Sequence, residues 1–183
     1  MKRIWVDRDK CLACKSCELA CATERDSVSK TLFGARLEVD LPVARVGVHG
    51  NTGASFPLQC RHCQDAPCLR ACPTGAMMRD AETGIVLVDQ TKCRGCWMCV
   101  MTCPFGCVTP SGIHKVAQKC DLCLHREEPA CVEACPTGAL IHGDEKEFAQ
   151  VLAAKRGRIA AFVQQAQVGN LINLDSVWEG EQA

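Results

Sequence analysis

Seventeen cysteines in a chain of 183 residues, sixteen of them in four compact groups, constrain this fold more than any other feature. The groups are Cys11, Cys14, Cys17 and Cys21; Cys60, Cys63, Cys68 and Cys72; Cys93, Cys96, Cys99 and Cys103; and Cys120, Cys123, Cys131 and Cys135. Cys107 stands apart. Groups one and three share the tight form C-x2-C-x2-C-x3-C, and groups two and four are looser. PCLRACPTGAM (67–77) and ACVEACPTGAL (130–140) nearly repeat, as if one two-group unit had been used twice. Three chemistries compete for so many thiols: disulfides, zinc and iron–sulfur clusters.

Disulfides need an oxidising compartment. The chain starts MKRIWVDRDKC, without the apolar run of a signal peptide or a twin arginine. It therefore reads as cytoplasmic, with reduced thiols; a mature exported chain, or one exported on a partner's signal, is the alternative. Zinc sites pair two separated C-x2-C knuckles. Here three cysteines crowd into one turn, twice, and a proline follows Cys72, Cys103 and Cys135. That is the bacterial ferredoxin pattern, in which the fourth cysteine serves the other cluster. Cys93, Cys96 and Cys99 are expected to share one [4Fe-4S] cluster, and Cys103 to serve a different one. Group one departs from the pattern, with Ala22 after Cys21. Spacing alone also allows group one to exchange with two, and three with four. Cys107 is expected to be a small buried hydrophobe beside a cluster, the rival role being a spare or redox-active ligand.

The remaining composition excludes several functions. The formal net charge is +0, so no electrostatic case for nucleic acid arises. No run reaches the roughly 18–20 apolar residues that would span a membrane. Aromatics make up 4% and Tyr is absent, so the core is small and metal binding would have to supply folding energy. Neither a G-x-G-x-x-G nor a P-loop pattern occurs. His49, His62, His114, His125 and His142 are scattered and form no nucleophile–base set. With no visible substrate pocket, the chain is expected to be non-catalytic. Trp97 reads as a shield over a cluster rather than an electron relay. Lys15, Arg61, Arg94 and Lys119 lie beside cysteines and would offset cluster charge or steer a partner, with solvated surface as the plainer expectation.

Local patterns are sparse. RIWV (3–6), GIVLVD (84–89), HKVAQ (114–118) and GALIH (138–142) read as short strands, and DAETG (80–84) as a turn. CELAC and CVEAC suit one helical turn. ARLEVDLPV (35–43) alternates like a half-buried edge strand, and GVHGNTGASFP (47–57) reads as a loop. DEKEFAQVLAAKR reads as an amphipathic helix with acidic residues first and basic residues last.

With its four groups in this order, the chain resembles the four-cluster, ferredoxin-like electron-transfer subunits of multi-subunit redox enzymes. CLACKSCELACA near the start looks most like the carbon monoxide dehydrogenase-associated iron–sulfur protein and its relatives. The resemblance spans about residues 1–145. It implies an α+β fold of two bacterial-ferredoxin-like units, one inserted in the other, with short strands and helices around the clusters. Residues 1–50 with 113–145 would form the outer unit, 51–112 the inner unit, and 146–183 a helix and tail for docking. It also implies four [4Fe-4S] clusters. Their ligand sets would be Cys11, Cys14, Cys17 and Cys135; Cys120, Cys123, Cys131 and Cys21; Cys60, Cys63, Cys68 and Cys103; and Cys93, Cys96, Cys99 and Cys72. The implied role is a wire between a catalytic oxidoreductase subunit and a second electron donor or acceptor. That catalytic subunit would be a tungsten/molybdenum enzyme of aldehyde or formate type, or nickel carbon monoxide dehydrogenase or hydrogenase. A free polyferredoxin carrier is the alternative, and a redox-sensing iron–sulfur protein ranks below it. Stacking of several wires into a homo-oligomer is compatible with the sequence.

Overall fold

The computed structural model describes residues 1–51, 54–111 and 115–168, except for the side chains of residues 51 and 165–168. Residues 1–144 make one compact unit, and residues from Glu145 onward a second. In the first unit the cysteine groups lie between short elements, because turns that gather thiols leave little chain for regular structure. Strand β1 (Arg3–Val6) leads through a 3-10 turn (Arg8–Lys10) to group one and helix α1 (Ser16–Arg25). Helix α2 (Leu32–Leu37) follows, its first turn held by Thr31, whose Oγ1 accepts the Gly34 N–H at 3.1 Å. Strands β2 (Val46–Asn51) and β3 (Ala54–Gln59) then lead into group two and helix α3 (Pro67–Arg70). Pro67 suits the first helical position, where its missing N–H costs nothing.

Strands β4 (Met77–Arg79) and β5 (Val86–Val88) precede group three and helix α4 (Met98–Met101). Strands β6 (Val108–Pro110) and β7 (Ala117–Lys119) precede group four and helix α5 (Ala130–Glu133). Strand β8 (Leu140–Gly143) ends the unit. Among the described residues the strands form four two-stranded antiparallel sheets. The fold is α+β.

The pairing β1–β8, with Ile4 opposite His142 and Val6 opposite Leu140, joins the unit's first and last strands. Trp5 Nε1 reinforces it by donating to Gly143 O at 2.9 Å. Two buried clusters lie beneath the sheets. One gathers Ile4, Val46, Ile85, Leu122 and Leu140 with Cys17, Cys21, Cys120 and Cys131. The other gathers Met77, Val86, Val108 and Ala117 with Cys68 and Cys99. Cysteine is thus a core residue here, as the scarcity of aromatics requires.

The strands expected at 3–6, 84–89 and 138–142 form within those ranges or one residue beyond, and 80–84 is a turn. For 114–118, strand β7 occupies 117–119, and His114 lies outside the described residues. Two expectations are corrected. Of residues 47–57, 47–51 and 54–57 are not a loop but strand in the β2–β3 pair, with Val48 opposite Pro57, and 52–53 lie outside the described residues. Residues 35–43 are not a half-buried strand: the segment starts in α2, and Leu37, Val39, Leu41 and Val43 are all exposed. The chain there is held by polar groups instead. Glu38 Oε1 accepts from Ser27 Oγ (2.6 Å), Ser29 N (3.0 Å) and Val28 N (3.1 Å), and Asp26 Oδ2 accepts from Val43 N (2.9 Å).

In the second unit, helix α6 runs from Glu145 to Val168. It continues through Gly157, so the basic run Lys155, Arg156 and Arg158 falls in mid-helix rather than in the last turn. The acidic first turn, Glu145 and Glu147, still matches the helix dipole.

Candidate metal centres

The cysteine turns are made by left-handed residues. Ala13, His62, Gly95 and Leu122, each just before the second cysteine of its group, have φ of 55°, 46°, 66° and 57°. In the tight groups, Lys15 (φ 61°) and Trp97 (φ 63°) repeat the reversal just after that cysteine. Alternating right- and left-handed peptides turn successive N–H groups into one concavity, which favours an anion. The sulfurs receive such donors. His62 N donates to Cys60 Sγ and Leu122 N to Cys120 Sγ, both at 3.4 Å. The last cysteine of every group accepts a backbone N–H: Arg45 N to Cys21 (3.2 Å), Met77 N to Cys72 (3.4 Å), Cys107 N to Cys103 (3.4 Å) and Ala139 N to Cys135 (3.2 Å). The repeated C-P-T-G adds a hydroxyl, with Thr74 Oγ1 at 3.7 Å from Cys72 Sγ and Thr137 Oγ1 at 3.7 Å from Cys135 Sγ.

Among the described residues three cavities are ringed by thiols. Cys11, Cys14, Cys17 and Cys135 line one, walled by Leu12, Val48, Pro57 and Leu140. Cys72, Cys93, Cys96 and Cys99 line another, against Met77, Val88, Trp97 and Ala117. Cys60, Cys63, Cys68 and Cys103 line the third, together with His62, Val86, Phe105 and Cys107. The remaining four, Cys21, Cys120, Cys123 and Cys131, are all buried. Burial, and then the charges of Cys120, Cys21, Cys123 and, last, Cys17 of the neighbouring set, push the Cys131 thiol far up, so Cys131 lies near the other three. Among the described residues no group of three His, Cys, Asp or Glu side chains is placed to hold a single metal ion.

Burial pushes Cys17 and Cys99 up to about 11, so without metal these thiols are neutral. At Cys72 and Cys135 burial also acts upward, but the hydrogen bonds from Met77 and Thr74, and from Leu140, Thr137 and Ala139, together outweigh it, and both thiols fall below the ordinary cysteine range. The Ser16 hydroxyl and amide lower Cys14. These sulfurs therefore lose their protons more readily than an ordinary cysteine.

Cys107 hangs on the same cavity as group two. Its N–H serves Cys103, its Sγ–H donates to Phe105 O at 3.4 Å, and burial pushes the thiol up to about 12. Of the cations flagged by position, Lys15 pairs with Glu18 and is 62% exposed, Arg94 is exposed, and Arg61 lies 5.5 Å over the Phe56 ring. Lys119 contradicts the expectation of solvated surface, being buried at 3% exposure. Its ammonium donates to Val86 O and, at 3.0 Å, to Cys120 O. His125 bridges Glu24 and Arg25, and His142 sits 3.5 Å from Glu128, both polar contacts on the periphery. His62 is different. It is 1% exposed, its Nδ1 accepts Val86 N–H at 3.2 Å, and its buried Nε2 has no protein partner among the described residues. Burial, then the nearby Lys119 charge, lowers it to about 3, so the ring is neutral with its proton on Nε2. An orphan N–H donor in a thiol-ringed cavity fits a sulfur-rich group. Sequence reasoning missed the hydroxyls of Thr74 and Thr137, although the repeated C-P-T-G carried that signal. It also gave no chemical role to His62, and for Lys119 it set cluster-charge compensation beside solvated surface without seeing that the residue is buried.

Four-thiol cavities with inward N–H donors and apolar walls define an iron–sulfur protein rather than a single-ion site. Comparison with known proteins agrees. Residues 52–145 match the 4Fe-4S dicluster domain, and the chain belongs to this family of iron–sulfur electron-transfer proteins. It is 40% identical over 172 residues to an iron-sulfur protein of Rhodospirillum rubrum, covering 85% of this chain and 88% of that one. It is 39% identical over 173 residues to the electron transport protein HydN of Escherichia coli (strain K12), covering 86% and 96%. Among solved structures it is similar to the active site complex BamBC of benzoyl coenzyme A reductase with benzoyl-CoA, at 23% identity and a TM-score of 0.41, covering 92% and 96%. No helix among the described residues is long and apolar enough to cross a membrane.

Proposed function

We propose that this non-catalytic electron-transfer protein carries four [4Fe-4S] clusters as a wire between a catalytic oxidoreductase subunit and a second redox partner. Bound at these thiols, the clusters supply one-electron chemistry, and the protein tunes their potentials by hydrogen bonds, burial and charge. The observation that carries the reading is the grouping of the cysteines around the cavities. It supports the ligand sets Cys11, Cys14, Cys17 and Cys135; Cys21, Cys120, Cys123 and Cys131; Cys60, Cys63, Cys68 and Cys103; and Cys72, Cys93, Cys96 and Cys99.

The same geometry supports an order. Helix α1 carries Cys17 and Cys21 and packs on α5, so the first two sets are neighbours. Helix α3 packs on α4, making the last two neighbours. The middle sets meet where Cys60 packs against the buried cluster holding Cys120. Cys14 and Cys96 are the exposed cysteines of the groups, and they belong to the two end sets. Electrons would enter at one end and leave at the other. The β1–β8 pairing supports an outer unit of 1–50 with 113–145 around an inner unit of 51–112.

A partner surface is supported by the exposed apolar residues Val28, Leu32, Phe33, Leu37 and Val39. The partner we favour is a catalytic subunit with a tungsten/molybdenum or nickel centre. The test is elemental analysis of protein purified without air from its native host. About sixteen irons per chain are expected from four clusters, with tungsten, molybdenum or nickel co-purifying on the catalytic subunit. Zinc, or little iron, would overturn the cluster reading. Iron alone on a monomer would make the chain a free carrier.

A further inference from the structure

Lys119 is a cation in the wrong place for a soluble surface. It ends strand β7, directly before Cys120, and is 3% exposed. Its Nζ is held by two carbonyls, Val86 O and Cys120 O, and among the described residues no carboxylate pairs with it. A buried ammonium without an anion is costly, because carbonyl dipoles replace only part of its hydration. The anions on offer are thiolate-ligated clusters. Val86 and His62 wall the cavity of Cys60, Cys63, Cys68 and Cys103, and the Lys119 charge opposes burial at Cys68. On its other side Lys119 is bonded to the carbonyl of Cys120, from the neighbouring set.

Of the other cations near clusters, Arg61 and Arg79 also lie beside the Cys60 set, half-buried, Arg61 over the Phe56 ring and Arg79 donating to Cys63 O at 2.7 Å. Arg25 and Arg45 both pair with Asp121, at 3.5 Å for Arg45. Lys15 pairs with Glu18 in water, and Arg94 is exposed. Among the described residues the end sets therefore have no buried, unpaired cation like Lys119.

We infer that Lys119 is the shared counter-cation of the two middle clusters and raises their reduction potentials above those of the end clusters. The inference rests on the four-cluster reading proposed above. Reduction adds one negative charge to a cluster, so a fixed positive charge nearby favours the reduced form. Both middle clusters feel it and the end clusters do not, which makes the centre of the wire the place where electrons come to rest. His62 sits in the same junction, with its Nε2–H free to donate to sulfur.

The test is a dye-mediated redox titration of the anaerobic holoprotein, followed by electron paramagnetic resonance, on wild type, Lys119→Met and Lys119→Arg, with iron counted in each sample. The expected result is that two of four midpoint potentials move negative in Lys119→Met, the other two stay, and Lys119→Arg restores the wild-type pattern. If Lys119→Met cannot hold iron in the middle sets, Lys119→Arg should recover it. The inference is overturned if Lys119→Met carries full iron with unmoved potentials, if all four potentials move together, or if Met and Arg variants behave alike. Wild-type protein with fewer than four clusters would instead overturn the underlying reading, and this inference with it.

Discussion

Replacing Gly95 with alanine isolates the physical strain in the tight cysteine turn. Gly95 lies between Cys93 and Cys96 at φ +66°, and a Cβ there would stand 2.4 Å from the Lys115 carbonyl oxygen. A left-handed alanine costs about 1–2 kcal/mol. The stiffer unfolded chain offsets about 0.4–1 kcal/mol of that. The contact with Lys115 O is a separate cost. Neither atom belongs to a rotatable side chain, so the turn and the Lys115 backbone must move apart, at about 1–3 kcal/mol if overpacked cores are a guide. Gly75 supplies the control: it has φ +65° and nothing within 4 Å of its would-be Cβ. Gly75→Ala thus carries the strain alone, and the difference between the variants is the contact. If that packing is absent from the transition state for unfolding, Gly95→Ala should lose cluster absorbance in urea roughly 5- to 150-fold faster than Gly75→Ala. The assay is anaerobic decay of visible absorbance in holoprotein of equal iron content. Equal rates for the two variants would refute the steric argument.

Three further outcomes follow from the same geometry. Cys21→Ala should lower iron by about four per chain and abolish the signal of the set held by Cys120, Cys123 and Cys131, whereas loss of the Cys11 set alone would contradict the exchanged-ligand scheme. Cys107→Ala should keep the full iron content, because the Cys107 thiol is protonated and bonded to Phe105 O; a fall in iron would make it a ligand. Glu38→Gln should speed hydrogen exchange at the Val28 and Ser29 amides near neutral pH, since Glu38 accepts from both. The Ser27 hydroxyl, then the Ser29 amide, lower Glu38 to about 2, so its contribution is complete above about 4.5 and is lost as pH falls toward 2. The exchange rates of the two proteins should converge over that acid range, and a constant difference would refute the assignment.

The ligand chemistry was legible because spacing of thiols is a local signal. Three cysteines in one turn, and the paired C-P-T-G runs, announce iron–sulfur chemistry without any tertiary information. The burial of Lys119 and His62 was not legible, because burial in this chain is set by cysteine groups meeting across the fold. A lysine in VAQK looks like surface until β7 is seen with all three of its residues buried.

The two misread segments share a cause: the usual link between hydropathy and burial is inverted in both. In β3 the inward residues are Ser55, Pro57 and Gln59, so the sequence shows no apolar alternation. They are buried because they bind the outer strand and turn, with Ser55 Oγ donating to Cys11 O (3.1 Å) and Gln59 Nε2 to Ile4 O (3.0 Å). In 35–43 the apolar alternation is real, but among the described residues no strand pairs with it. Leu37, Val39, Leu41 and Val43 are 69%, 100%, 58% and 51% exposed. A chain whose core is built from thiols does not need those four side chains inside. Their exposure, beside α1 with its cluster cysteines, is a cost in water that a bound partner would remove. The segment that failed as a strand is therefore the part of the described surface that best supports the docking onto a catalytic subunit proposed above.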